Sequence, residues 1–184
     1  MLTVKERGHF VATLRYVHVT LMETLADWVP TTPEVEVKLL LGEHIWDVAQ
    51  HADSLGKRTF ELRLPLQHSV RAAEPYAAFL AEIRAIEPTP ERLAAMYDVL
   101  VPGLVARQRR YLEQTDKLVD APTVRILERY LADTVRMTDA AHAVRRELRE
   151  LPSADRQWAA ALQAREAKLE LLAVPSTETV AVGA

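Results

Sequence analysis

The sequence predicts an all-α fold, and three observations carry that reading. Only five glycines occur among 184 residues. No alternation of apolar and polar residues is sustained long enough for a strand. Apolar positions instead recur every three or four residues through long windows, which is the period of a helix. With 49% hydrophobic and 27% charged residues, the composition is that of a globular chain able to bury a core. One domain over residues 1–174 is expected, followed by a small, uncapped and flexible tail at 175–184.

The first helix should begin at Thr3, because Thr3 and Glu6 form a capping box that satisfies two otherwise orphan backbone donors. Its apolar stripe reads Val11, Leu14, His18, Met22, Leu25 and Val29, and Pro30 should end it. Thr31-Thr32-Pro33-Glu34 restarts the chain with a Thr cap, a Pro in the first turn and an acid at the positive dipole end. The second helix should run to about Leu64, with Gly42 and Gly56 as weak points. Its stripe is Val37, Leu41, Ile45, Val48, Ala52 and Leu55, while Leu39 and Trp46 fall on the far side and ask for a second cover. A connection follows from Pro65 to Glu74, then a short helix from Pro75 to about Ile86. Pro88-Thr89-Pro90-Glu91 opens a fourth helix with Leu93, Met96, Tyr97, Leu100, Leu104 and Tyr111 on one face, kinked near Pro102-Gly103. Asp120-Ala121-Pro122 opens a fifth, to about Leu151, whose inner face should carry Val124, Glu128, Leu131, Val135, Asp139 and His142. Pro152-Ser153 should cap a last helix of roughly twenty residues that holds Trp158 and a mixed charged face.

Composition excludes several functions. A net charge of -3 offers no electrostatic case for nucleic acid or anionic membrane. Without cysteine there is no disulfide, thiolate nucleophile or Cys-ligated zinc. No apolar run is long enough to span a bilayer. Lys5, Glu6 and Arg7 stand where a signal peptide would be apolar, so a bacterial cytoplasmic protein is expected. No phosphate loop, nucleophile elbow or HExxH is present. The basic run Arg107-Gln108-Arg109-Arg110 is expected to be a solvated face.

The candidate site lies in Glu43-His44-Ile45-Trp46-Asp47-Val48-Ala49-Gln50-His51-Ala52-Asp53, which places His44 and His51 one above the other on a helix with Asp47 beside them. His18 on the first helix and Glu128, Asp139 and His142 on the fifth are the other polar residues predicted to face inward. Buried carboxylates and imidazoles are costly, so such groups must pair, bind a metal or meet a substrate. His and carboxylates converging from several helices can hold a non-haem metal with open positions. Without cysteine, iron, manganese or zinc would be the candidates.

The acid-His motifs Asp47 to His51 and Asp139 to His142 and the helix order over residues 5–150 resemble the ferritin-like superfamily, and the run from Lys38 to Arg63 is similar to a bacterial branch of that fold. That resemblance implies a ferritin-like four-helix bundle with additional short and C-terminal helices, and a di-iron or di-manganese centre held by Glu and Glu-x-x-His motifs. This chain has Asp47-x-x-x-His51 instead of Glu-x-x-His, and Tyr97, Arg107 and Tyr111 where the family has a carboxylate; Asp98 falls on the opposite side of its helix. A His-rich mononuclear or unusual dinuclear centre suits these residues better.

Two functions are therefore expected in parallel. One is a non-haem iron oxidoreductase acting on a small organic substrate, with His18, His44, His51, Glu128 and His142 as metal ligands. Asp47 and Asp139 would orient imidazoles and Arg107 would meet the substrate. The other is a metal-free helical protein that binds a partner or uses its polar core for acid-base chemistry. Leu39, Trp46 and Trp158 on outer faces predict a homodimer.

Overall fold

A computed structural model describes residues 2–173; the expected tail at 175–184 lies outside them. The described residues are helical with no strand, as the glycine-poor, helix-periodic sequence predicts. The elements are α1 (Val4–Thr31), α2 (Val35–Glu61), α3 (Glu74–Arg84), α4 (Thr89–Ala94), a π-helical stretch (Ala95–Leu100), α5 (Val101–Gln114), α6 (Ala121–Glu147) and α7 (Arg156–Glu166).

Helix α1 starts at the expected capping box, with Thr3 and Glu6 bonded reciprocally. It does not stop before Pro30 but includes it and ends at Thr31. A proline this late removes one donor from a turn that is already ending. The exposed carbonyl end is then capped from outside. Thr31 and Thr32 hydroxyls donate to the Trp28 carbonyl at 3.2 and 2.8 Å, and Arg92 brings its guanidinium to the same carbonyl and to Thr32. A cation is favoured at the negative end of the helix dipole. Because Thr32 turns back in this way, it does not cap α2, which has no side-chain cap.

Helix α2 runs unbroken through Gly42 and Gly56. A Cβ at Gly56 would overlap the Gln67 side chain and Arg15, so that glycine provides room for packing. Gln67, at a positive φ of 58°, donates its backbone N–H to Gly56 O at 3.0 Å, and its side-chain oxygen accepts from Arg15 at 2.9 Å. The expected stripe holds for Val37, Leu41, Val48, Ala52 and Leu55, which are buried. Among the described residues nothing covers Leu39 and Trp46, which are 71% and 66% exposed.

Helix α4, the π-helical stretch and α5 follow one another without a break. The disturbance expected at Pro102 appears one turn earlier. Pro102 has no N–H for the usual i to i−4 bond, and the widened turn instead lets Val101 N–H reach Met96 O. Its expected core face is confirmed: Leu93, Met96, Tyr97, Leu100, Leu104 and Tyr111 are all buried.

Helix α6 runs antiparallel to α2, as the cross-links Arg58 to Asp120, His51 to Asp133 and Asp47 to Arg136 show. Asp120 precedes α6, but its carboxylate does not cap the helix. It turns inward, wholly buried, and accepts from Thr123 (2.6 Å), Tyr111 (2.6 Å), Thr115 (2.9 Å) and Arg58 (2.9 Å). Helix α7 is capped by Asp155, which accepts from Trp158 N–H at 2.8 Å. It is shorter than the sequence predicts and begins after Pro152-Ser153. Trp158 is half-buried and packs on the core instead of standing free.

Candidate functional site

The inner face of α6 differs from the predicted one. Thr123, Val124, Leu127, Tyr130, Thr134, Met137 and Ala141 are buried, whereas Glu128, Val135 and Asp139 are exposed. Glu128 and Asp139 are therefore neither core carboxylates nor neighbours of the buried histidines. The three inward polar residues, Thr123, Tyr130 and Thr134, disguised the true face, and Leu131 and Val135 suggested a false one.

His18, His44 and His51 are buried as expected, at 1%, 0% and 5% exposure, but they do not form one cluster. His18 on α1 and His51 on α2 meet edge to face, with ring centroids 5.6 Å apart. Tyr130 from α6 contacts both, at 4.8 Å from each ring. Gln108 of α5, fully buried, lies beside the Tyr130 hydroxyl, so four helices contribute to this group. The sequence placed Gln108 on a solvated basic face, and Tyr130 was not among the candidate site residues. His51 Nε2 donates to Asp133 Oδ2 at 2.9 Å, a partner its i, i+4 neighbour Asp47 was expected to be. Asp47 instead faces Arg136 at 2.8 Å.

His44 lies two turns before His51, about 10 Å along the axis. It shares a 2.6 Å hydrogen bond with Tyr97, whose hydroxyl can donate to Nδ1. His142 is half-exposed and lies 3.2 Å from Asp98, which also holds Arg145 at 2.7 Å. Asp98 therefore faces α6, not the opposite side. It lies in the π-helical stretch, where the 100° wheel of an α-helix gives the wrong angle. Arg107 is bound to the buried Glu166 at 2.5 Å and to the Gly103, Glu166 and Leu169 carbonyls. A Cβ at Gly103 would overlap the Glu166 carboxylate, so this glycine seats the ion pair. Arg107 thus fastens the segment after α7 and does not face the histidines.

A di-iron centre does not fit these residues. Among the described residues, no group of three or more His, Asp or Glu side chains is placed to hold a metal ion. His18 and His51 are the one expected ligand pair that meets.

Electrostatically, the cluster is neutral and under-bonded. Burial, reinforced by the neighbouring His51, lowers the His18 pKa well below its usual value. Burial lowers His51 too, against the pull of Asp133, and lowers His44 to about 4. Burial pushes the Tyr130 hydroxyl up to about 12, so it stays protonated. Neither nitrogen of His18, neither amide atom of Gln108 and not Nδ1 of His51 has a hydrogen-bond partner. Each such group costs about 1–3 kcal/mol when buried. Native interiors carry few of them; these five lie around one tyrosine, and the others are on Arg7, His9, Thr13, His44 and Arg145.

The cluster also has an outlet. His51 forms part of the wall of a hollow of about 220 Å³ between α2 and α6, with Gln50, Ser54, Arg125, Ile126 and Arg129. A larger hollow of about 630 Å³ lies elsewhere, lined by Phe10, Arg110, Tyr111 and Leu171 among others, and involves none of the histidines.

No protein-family model, curated protein or solved structure matches this chain. No helix among the described residues is long and apolar enough to cross a membrane.

Proposed function

We propose that this helical bundle binds a small molecule at the His18–His51–Tyr130 cluster and uses His51 as an acid-base group. The observation that carries the reading is the His51–Asp133 bond at 2.9 Å, set against a His18 imidazole that is fully buried and bonded to nothing. A carboxylate on one imidazole nitrogen fixes the tautomer and leaves the other nitrogen as a base. A neutral His51 at pH 7 can take a proton through Nδ1, and Tyr130, whose ring packs against it, keeps a protonated hydroxyl able to donate.

The test is imidazole NMR on the whole protein, wild type and Asp133→Asn. The His51 pKa should lie below 6.5 in the wild type and fall further in the variant, with a mixed tautomer replacing the single one. A His51 that titrates near 6.5 in both proteins, or whose tautomer ignores the substitution, defeats the reading. A non-haem iron oxidoreductase with a His-rich mononuclear centre is the second reading, and the meeting of His18 and His51 is what supports it. Elemental analysis of protein from metal-supplied cells decides between them. A stoichiometric transition metal lost in His18→Ala would replace the first reading with the second.

We infer, too, that a second copy of the chain covers the outer face of α2. Val35, Leu39 and Trp46 recur there at helical spacing and are 62%, 71% and 66% exposed. Gly42 stands on the same stripe with nothing within 4 Å of a Cβ position. Antiparallel pairing of two α2 helices sets each Trp46 over the partner's Gly42, a knob over a missing side chain. Sedimentation at micromolar concentration should give a dimer, and a monomer there rejects the inference.

A further inference from the structure

The hollow beside His51 has a charge pattern that the acid-base reading does not use. Its wall holds two arginines and no carboxylate, in a chain whose net charge is -3. Arg125 and Arg129 stand four residues apart on α6, so their like charges face each other across one turn, an unfavourable arrangement on an isolated helix. Arg125 makes no ion pair within 4 Å among the described residues, even though Glu128 is three residues away. Arg129 has a single distant one, 3.8 Å from Asp133, and Asp133 is already engaged by His51 at 2.9 Å. By contrast, Arg136, two turns further along α6, is held by Asp47 at 2.8 Å and Glu43 at 3.2 Å. The two pocket arginines are thus under-neutralised cations of this helix–helix seam, and they share the wall of the hollow with His51 of the buried cluster.

We propose that this hollow is the binding site for a small molecule bearing an oxyanion, a carboxylate or a phosphate, whose charge is taken by Arg125 and Arg129 while its body lies against His51. The proposal rests on the acid-base reading of His51 and adds the substrate class. The guanidinium fork matches a carboxylate or phosphate edge with paired hydrogen bonds. Binding there would relieve the repulsion between the two arginines. A volume of about 220 Å³ lies below the usual range for drug-sized ligands, so the ligand is an acid of a few carbons or a compact phosphate. Ile126 supplies the apolar wall, and Gln50 and Ser54 supply neutral polar edges.

The probes are sodium acetate and inorganic phosphate, each added to the full-length protein with its histidine rings labelled, against sodium chloride at matched ionic strength. At least one oxyanion should shift the His51 ring signals saturably while chloride does not, and the more effective one names the head group. Arg129→Gln should weaken that binding about tenfold, as expected for one lost charge-assisted contact, and Arg125→Gln should add to the loss. Both side chains are exposed, so both variants should keep the wild-type helical signal. Two results overturn the proposal: no saturable shift beyond that of chloride, or a shift that survives both arginine substitutions. The Asp133→Asn titration separates the two readings. If the wild-type and variant His51 titrations behave as stated above but no oxyanion binds, only the substrate class fails.

Discussion

Two buried polar groups bridge α2 and α6, and they are built oppositely. Around Asp120 every strong acceptor has a donor: Thr123 and Arg58 on one oxygen, Tyr111 and Thr115 on the other. Arg58 in turn donates to Thr123 at 2.8 Å and Glu61 at 2.7 Å. Burial alone would raise the Asp120 pKa, yet those four donors overcome it and hold the carboxyl below its usual value. Around Tyr130 the burial is the same and the bonding is not, because His18 and Gln108 contribute four ring and amide atoms with no partner. A satisfied polar core holds helices in register, whereas an unsatisfied one makes stability worse. Only the second asks for another role, and its His51 shares the wall of a hollow with Arg125 and Arg129.

Removing the keystone of the satisfied group should have the largest effect. Asp120→Ala leaves Arg58 charged and buried, and unfolding by denaturant should show a loss of about 3–5 kcal/mol. A loss below about 1 kcal/mol would mean the network is ornamental and the contrast false.

Acid should act on the other group. A histidine kept neutral by burial takes up its proton only on unfolding, so its contribution is lost as pH falls through the unfolded-state value of 6.5 toward the lower folded-state one. His44, with its folded pKa near 4, should alone remove about 2 kcal/mol between pH 7 and pH 5. Melting temperatures across that range should therefore fall, and His44→Gln should flatten the slope. A flat wild-type profile would contradict the neutral assignment.

A smaller effect sharpens the comparison further. His18→Leu removes no hydrogen bond, so stability at pH 7 should change by less than about 1 kcal/mol or rise. A loss of several would reveal a bonding role. Smallest of all, Trp46→Ala should move monomer stability by less than about 0.5 kcal/mol while abolishing the dimer in sedimentation.

The sequence and the structure agree where the local signal was strong. The Thr3–Glu6 cap, the stripe of α2 and the Leu93-to-Tyr111 face each rest on local spacing that nothing distant overrides. The candidate site was legible only in part. His18, His44 and His51 are where the periodicity puts them, deep in the core. Asp133, Gln108 and Tyr130 were hidden because partners across a bundle carry no mark in their own neighbourhood. Gln108 sits between arginines, which made it look like surface. Asp98 was misplaced by a turn wider than an α-turn, and Glu128 and Asp139 by an inner face that is itself partly polar.

The loop between α2 and α3 is tied at several points. Gln67 is locked over Gly56, Val70 N–H reaches Ala12 O at 3.1 Å, and Ala73 N–H reaches Leu171 O at 3.0 Å. It therefore works as a buckle, joining the opening helix to the end of the described chain through one short stretch. A nick near Arg63, which has a positive φ of 66°, would leave two fragments still clasped together. The molecule would run as one particle in a native column and separate only in denaturant.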